Sequence, residues 1–283
     1  MKKILITGKN GNVSTAIAEY LQQKHGVCTE QLSLRDGSWS KSDLCGFDAV
    51  IHVAGIVPKD GINPEDFYRI NYRLTEEFAK KVKDCGIKHF IYISSMAVYG
   101  LGPQISAIKG TITDKTSCNP TTDYGKSKLL AENSLRELED ENFKLTVIRV
   151  PSIYGEGKTE YLDQYKHLAD KFKYIPKAFT KNYKSMIYID NLCELIYLIV
   201  KNAKYGIVCP DDGAISAFDV CRAIRNDKKV SRLEGVILSL LKYSSRIADY
   251  YGTICYCKEL TEVFENKYRV CELSEAVVKS YEE

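Results

Sequence analysis

Four short stretches of this chain are apolar almost from end to end, and each is followed by a turn or by a segment with helical spacing. They are Lys3 to Thr7, Ala49 to Ala54, His89 to Ser94 and Lys144 to Val150. Between them, Asn12 to Lys24 repeats Val13, Ile17, Ala18 and Leu21 on one helical face. Pro64 to Asp84 does the same with Phe67, Ile70, Leu74, Phe78 and Val82, and Cys85-Gly86 closes it as a helix C-terminus favours. Asp123 to Leu138 reads as a further helix, and Gln31 to Leu34 as a second strand. A strand without a polar face must be covered on both sides, which requires a parallel sheet with helices on each face. Right-handed crossovers then give a doubly wound α/β fold.

At 283 residues the chain can bury a large core without disulfides or metal. With 45% hydrophobic and 27% charged residues, disorder and low-complexity architectures are excluded. The regular alternation holds over residues 1–150, read as one α/β domain to which a strand and helix around 184–203 return. It loosens beyond Pro151, and 151–283 is expected to be mainly a small substrate-binding lobe. Helices are expected there at Tyr161 to Lys173, Asn191 to Lys201, Ser216 to Arg225, Gly235 to Tyr250 and Leu273 to Tyr281.

The charge sum, 40 basic against 37 acidic residues, is +3 and gives no footing for nucleic acid or an anionic membrane. The most apolar helical stretch, Leu192 to Val200, is short and contains Glu194. The apolar start, Ile4-Leu5-Ile6, stops at Thr7-Gly8, well short of a signal-peptide core. A cytoplasmic protein without a membrane partner is expected. The ten cysteines are scattered and form no pair of CxxC motifs, so free thiols and no metal are expected.

Gly8-Lys9-Asn10-Gly11-Asn12-Val13-Ser14 lies between the first strand and the first helix. Gly8 permits a tight turn, and Gly11 lets the backbone approach a pyrophosphate seated on the helix N-terminus. That makes the fold a Rossmann-type dinucleotide binder. The third small position is Ser14. Beyond the second strand, Arg35 and Asp36 stand where a basic residue suits the 2′-phosphate of NADP and an acidic one the ribose of NAD. Arg35 lies nearer that place, so the cofactor is NAD or NADP with a lean to NADP.

Tyr124 and Lys128 are four residues apart and share a helix face. A phenol is a poor base at neutral pH, and a neighbouring ammonium is expected to lower its pKa. Such a pair alone is ordinary on an exposed helix. Ser94 and Ser95, however, stand at the carboxyl end of a buried strand, where ligands sit in open α/β sheets. His52 reads as a packed strand histidine, and Lys80, Lys81 and Lys83 as a solvated face. Trp39 reads equally as a stacking partner for adenine or as a loop anchor.

With these motifs in order over roughly residues 1–200, the chain resembles the extended short-chain dehydrogenases/reductases, most closely nucleotide-sugar epimerases of the UDP-glucose 4-epimerase type. The matching stretches are Thr7 to Val13, His52-Val53-Ala54-Gly55, Asn71 to Thr75, Ser94 to Gly100, Tyr124-Gly125-Lys126-Ser127-Lys128, Arg149 to Gly155 and Lys184 to Asn191. The resemblance implies that Gly8, Asn10, Gly11, Asn12, Val13, Ala54, Gly55, Asn71, Ser94, Tyr124, Lys128 and Pro151 serve the cofactor. Tyr124 is implied as acid/base and Ser95 as the group that orients the substrate hydroxyl. Lys128 is implied to bind the nicotinamide ribose and tune Tyr124. Met96, Ser152 and Lys184 are implied at the substrate, Lys184 where the family often has an arginine.

Three departures stand out: Ser14 at the third glycine, a short stretch from Arg35 to Asp48, and a compact region after Pro210. Dehydratases of the family resemble one another in an Asp-Glu pair after the serine; Met96 and Ala97 stand there, which disfavours dehydration. The implied reaction is hydride transfer at a sugar carbon of a nucleotide sugar, as a 4-epimerase, alternatively as a 4-ketoreductase. A non-catalytic NAD(P)-binding regulator is the reading from another class, and retention of Ser95, Tyr124 and Lys128 weighs against it. The resemblance also implies a homodimer paired through the helices of Pro64 to Asp84 and Asp123 to Leu138.

Overall fold

The computed structural model describes residues 2–102, 110–156, 160–176, 180–213, 215–231 and 252–281. In chain order its elements begin with β1 (Lys3–Thr7), α1 (Asn12–His25), β2 (Cys28–Leu32), β3 (Ala49–His52), α2 (Pro64–Asp66), a π-helical stretch (Phe67–Arg73), α3 (Leu74–Asp84) and β4 (His89–Ser95). A 3₁₀ turn (Met96–Tyr99), β5 (Thr111–Ile112), α4 (Asp123–Leu138), β6 (Lys144–Val150), β7 (Ser152–Tyr154), α5 (Glu160–Lys171), β8 (Tyr174–Pro176), β9 (Tyr183–Lys184) and β10 (Met186–Tyr188) follow. Then come α6 (Ile189–Asn202), β11 (Gly206–Val208), β12 (Ile215–Ser216), α7 (Ala217–Ile224), β13 (Lys229–Ser231), β14 (Cys255–Tyr256), α8 (Lys258–Thr261) and α9 (Leu273–Lys279). The helix expected at Gly235 to Tyr250 lies outside the described residues.

Two compact units divide the chain. The first comprises Met1–Gly100, Ser117–Val150 and Cys193–Cys209. Its sheet has six strands in the order β11-β6-β4-β3-β1-β2, every neighbouring pair parallel. This is the doubly wound α/β fold that the apolar strands required. The chain goes outward from β1 to β2 and returns to β3 on the other side of β1. The ends of β1 and β3 therefore border the crevice where such sheets bind ligands.

Two elements differ from expectation for identifiable reasons. β2 begins at Cys28 and stops at Leu32, whose carbonyl accepts from the N–H groups of Gly8 and Lys9 at 3.0 and 3.3 Å. As an edge strand with exposed Cys28 and Glu30 it carries no apolar run to mark it. The expected helix from Pro64 to Asp84 is interrupted by the π-helical stretch at Phe67–Arg73. A π-bulge widens the turn and is commonly found beside functional sites. Here it carries the buried Asn71, whose side chain grips the segment after β3 through Ile56, accepting from its N–H at 2.8 Å and donating to its carbonyl at 2.9 Å.

One face of the sheet packs Val50, Phe90, Tyr92, Leu145 and Val147 against Phe78, Val82, Ala131 and Leu135 of α3 and α4. Trp39 is buried in the same cluster, edge-on to Phe78 with ring centroids 5.6 Å apart. It is the loop anchor of the two alternatives. The stretch from Arg35 to Asp48 holds a single turn of 3₁₀ helix and adds no strand beyond β2.

The second unit comprises Leu101–Thr116, Pro151–Leu192 and Pro210–Glu283. Its strands pair two by two: β7 with β10, β8 with β13 and β5 with β14 in parallel, β9 with β12 antiparallel. Polar groups do much of the joining. Asp212 accepts from Tyr154 Oη, Tyr188 N and Asn191 Nδ2, each at 2.8 Å. Burial pushes its carboxyl up to about 6. Asp211 accepts from Ser185 Oγ at 2.6 Å and Arg269 Nη2 at 3.1 Å.

Candidate active site

At the end of β1, Gly8 has φ +92, and a Cβ there would press on Ala54 N at 3.3 Å. Glycine is thus required by both the turn and the approach of the segment after β3. Asn10 sits at φ 66, a left-handed position that asparagine tolerates. Gly11 is the N-cap of the 14-residue α1 and brings no side chain to it. The first turn of that helix, including Asn12 and Val13, therefore presents backbone N–H groups with the positive end of the helix dipole behind them. Ser14 explains its departure from glycine: its buried Oγ lies 2.5 Å from the Gly8 carbonyl and 2.9 Å from that of Gly11, bracing the loop. Gly55 is exposed, and a Cβ there would fall 2.9 Å from Asn71 Oδ1. The bare backbone and helix end at the β1/β3 switch fit a dinucleotide pyrophosphate.

A neutral relay fixes this cradle. Thr7 Oγ1 accepts from the N–H groups of Val53 and Ala54, both at 3.1 Å. With both lone pairs engaged, its hydroxyl donates to His52 Nδ1 at 3.1 Å, and Nε2–H of the ring donates to Thr75 Oγ1 at 3.0 Å. Burial, and then the Lys128 ammonium, hold His52 down at about 3, so the imidazole is neutral.

The opposite wall comes from β4 and α4. Thr122 caps α4 by accepting from Gly125 N at 3.1 Å. A Cβ on Gly125 would lie 2.6 Å from the Ala97 carbonyl, so the glycine between Tyr124 and Lys126 lets the helix close on the Met96–Tyr99 turn. Ser95 opens that turn as its N-cap, accepting from Ala97 N at 3.1 Å. Tyr124 is half-buried, edge-on to Phe67 of the π-helical stretch at 5.9 Å.

The expected electrostatics need correcting here. Burial raises the Tyr124 phenol above its ordinary value, and a hydrogen bond with Ser95 opposes that rise. Lys128 is directed elsewhere: its ammonium donates to the Ile93 carbonyl at 2.9 Å and stands 4.8 Å over the ring of Tyr92. Burial also pulls Lys128 down to about 8, against the pull of the Glu132 carboxylate.

The first unit thus gathers Gly8, Asn10, Gly11, Asn12, Val13, Ala54, Gly55 and Asn71 around the strand switch, and Ser95, Tyr124 and Lys128 at the end of β4. Ser94 is adjacent but its hydroxyl is committed to Glu132 Oε1 at 2.6 Å within the core. Arg35 is exposed beyond the end of β2, and Met96 is buried in its turn. In the second unit Pro151 is buried, Ser152 is exposed at the start of β7, and Lys184 is buried on β9 opposite Ile215.

Sequence reading gave Thr7 and Thr75 no role of their own, although both lie in the matching stretches, and it passed over Glu132. A signal existed for the last: it sits four residues after Lys128 on the apolar stripe of α4, where a charge needs a reason. Among the described residues no group of three His, Cys, Asp or Glu could hold a metal, and no helix is long and apolar enough to cross a membrane.

The model of the NAD dependent epimerase/dehydratase family matches residues 4–208. The N-acetyl-alpha-D-glucosaminyl-diphospho-ditrans,octacis-undecaprenol 4-epimerase of Escherichia coli O157:H7 is 31% identical over 221 residues, 72% of this chain and 64% of that protein. UDP-glucose 4-epimerase of Vibrio cholerae is 29% identical over 261 residues, 82% of this chain and 78% of that protein. This chain therefore spans less than two thirds of the first relative's length. The crystal structure of UDP-glucuronic acid 4-epimerase from Bacillus cereus in complex with NAD superposes with a TM-score of 0.68 at 16% identity, covering 99% of this chain and 95% of that one. At that identity the likeness is one of fold.

Proposed function

The chain belongs to the NAD dependent epimerase/dehydratase family, and on that premise we propose that it is an NAD-dependent nucleotide-sugar epimerase acting by hydride transfer at a sugar carbon. One arrangement carries the reading: Ser95, Tyr124 and Lys128 at the carboxyl end of β4, in the same unit as the glycine cradle at the β1/β3 switch. The related 4-epimerases support it. So does the absence of a proton-carrying side chain at Met96 and Ala97, where dehydration would need one. The cofactor proposed is NAD. A structural neighbour was crystallised with NAD, and the exposed Arg35 gives the lean to NADP no further support.

NAD, when bound, supplies a hydride acceptor and in its reduced form a donor. The residues of this chain do the rest. Gly8, Gly11 and the α1 N-terminus hold the pyrophosphate, with Ala54 and Gly55 on the other side and Asn71 bracing them. Tyr124 removes the sugar hydroxyl proton and later returns it. Burial disfavours its phenolate, so the Ser95 hydroxyl and the Lys128 charge are the groups that must offset that cost as charge develops on the sugar oxygen. Ser152 and Lys184 remain proposed substrate contacts on the strength of the resemblance. A homodimer is proposed on the same footing, and a cytoplasmic location on the short apolar runs and scattered cysteines of the sequence.

The test is incubation with UDP-, GDP- and dTDP-sugars and with a lipid-diphosphate sugar, with and without added NADH or NADPH. Interconversion of epimers without net cofactor loss is expected. Stoichiometric loss of reduced cofactor would make the chain a 4-ketoreductase. Cofactor binding without any turnover would favour a regulator.

A further inference from the structure

Glu132 is fully buried, and no step above uses it. Its carboxylate is held on all sides. Arg149 of β6 donates to both of its oxygens, Nε to Oε1 at 3.1 Å and to Oε2 at 3.3 Å, and Nη2 to Oε2 at 2.7 Å. Arg136, one turn further along α4, donates to Oε2 at 3.1 Å, and Ser94 of β4 to Oε1 at 2.6 Å. The Arg149 guanidinium is itself fixed, donating to Tyr99 Oη at 2.9 Å. One carboxylate thus ties together α4, β4, β6 and the turn that begins at Ser95.

The same helix face carries Lys128 one turn earlier. A buried ammonium is expensive unless it is hydrogen-bonded and faced by opposite charge. Lys128 has one carbonyl acceptor, Ile93 O, and the face of Tyr92. Its titratable surroundings are Tyr124 and Glu132 on α4, Tyr92 on β4 and His52 on β3, with Arg149 of β6 on the far side of Glu132. Burial raises the phenols of Tyr92 and Tyr124, and His52 is neutral. Of these groups Glu132 alone is negative, and its field opposes the effect of burial on Lys128.

We propose that Glu132, clamped by Arg149, is a positioning residue that serves as the counter-charge keeping the Lys128 ammonium charged and seated at the end of β4. This rests on the role proposed for Lys128. The clamp has a reason in these terms. A free carboxylate four residues from the ammonium could pair with it directly and draw it from the site; one fixed by two guanidiniums and a serine acts at a distance and leaves the ammonium's remaining hydrogens free.

Direct titration of Lys128 in the full-length chain separates this claim from the enzymatic one. Lysine labelled with ¹³C at Cε, assigned by loss of the signal in Lys128→Met, gives a wild-type midpoint expected near 8. In Glu132→Gln the midpoint is expected to fall by about one pH unit, a roughly tenfold weaker hold on the proton. Because that variant leaves the buried Arg149 charge without its carboxylate, the double variant Glu132→Gln/Arg149→Met guards against failure to fold, and its midpoint should fall in the same direction. Glu132→Asp keeps the charge and should stay near wild type. The alkaline limb of turnover should move with the midpoint. An unmoved midpoint in the folded double variant, or an equal fall in Glu132→Asp, overturns the proposal. A fall in midpoint with no sugar-nucleotide turnover in any of the proteins supports the counter-charge and removes the enzymatic reading.

Discussion

The two walls of the site are built from different chemistry. The β1/β3 wall holds its shape with neutral groups: Thr7, His52, Thr75, Ser14 and backbone amides. The β4/α4 wall is built around buried charge: Lys128, Glu132 and Arg149. A wall that receives a pyrophosphate needs donors that do not titrate near neutral pH, and backbone N–H groups meet that need. A wall that handles protons needs groups whose charge can change. The cost of the second falls on stability. Lys128 is lowered to about 8 from an ordinary 10.5, so the unfolded chain binds the proton more tightly. This group therefore destabilises the fold below pH 8, and the penalty fades as pH rises from 8 towards 10.5.

The largest effect should separate the walls by function. Tyr124→Phe removes the proton carrier and leaves the glycine cradle untouched. Turnover should fall by about 10²–10⁴-fold, while NAD affinity, read by isothermal titration, stays within about twofold. Equal losses in both would mean that the walls are one unit and the comparison is mistaken.

Next comes acid stability, where the neutral wall should be the weak one. His52 binds its proton at about 3 when folded and at 6.5 in the unfolded chain. The unfolded state therefore gains protons first as pH falls. Stability from this group is complete above 6.5 and is lost as pH drops from 6.5 to 3, a change of order 5 kcal/mol. His89, held at about 4 by burial and then by Lys2, acts in the same sense. Urea unfolding of wild type and His52→Gln at pH 7, 5.5 and 4 isolates the His52 share. The variant should be less stable at pH 7 by about 1–2 kcal/mol and lose less on acidification. Parallel curves would show that His52 does not hold the cradle through its neutral form.

How legible each wall was in the sequence follows the same division. The glycine loop, β1 and α4 could be read because apolar periodicity and glycine placement are local properties; α4 runs over the expected Asp123–Leu138. β2 was read with displaced bounds, Gln31 to Leu34 against Cys28–Leu32, since a polar edge strand lacks the pattern that marks its neighbours. The π-helical turn around Asn71 was hidden because a one-residue widening barely disturbs the 3.6-residue spacing on either side. At the charged wall the placement of Tyr124 and Lys128 four residues apart on α4 was visible, but the electrostatics of each was not. Spacing says that two side chains share a helix face; it says nothing about how deep each lies, and depth sets the direction here.

The smallest expected effect tests whether the neutral wall is held by its hydroxyls or by its glycines alone. Ser14 is buried under the loop, with Oγ close to the carbonyls of Gly8 and Gly11. Ser14→Ala keeps the helix and the small size and removes only the brace. Stability should drop by about 1 kcal/mol, and NAD should bind about three- to fivefold more weakly through a looser loop, with turnover of bound substrate nearly unchanged. Ser14→Gly, which adds backbone freedom in the first turn of α1, should weaken binding further. If both variants bind NAD as wild type does, the glycines alone shape the loop and the hydroxyl is only a space-filler in the first turn of α1.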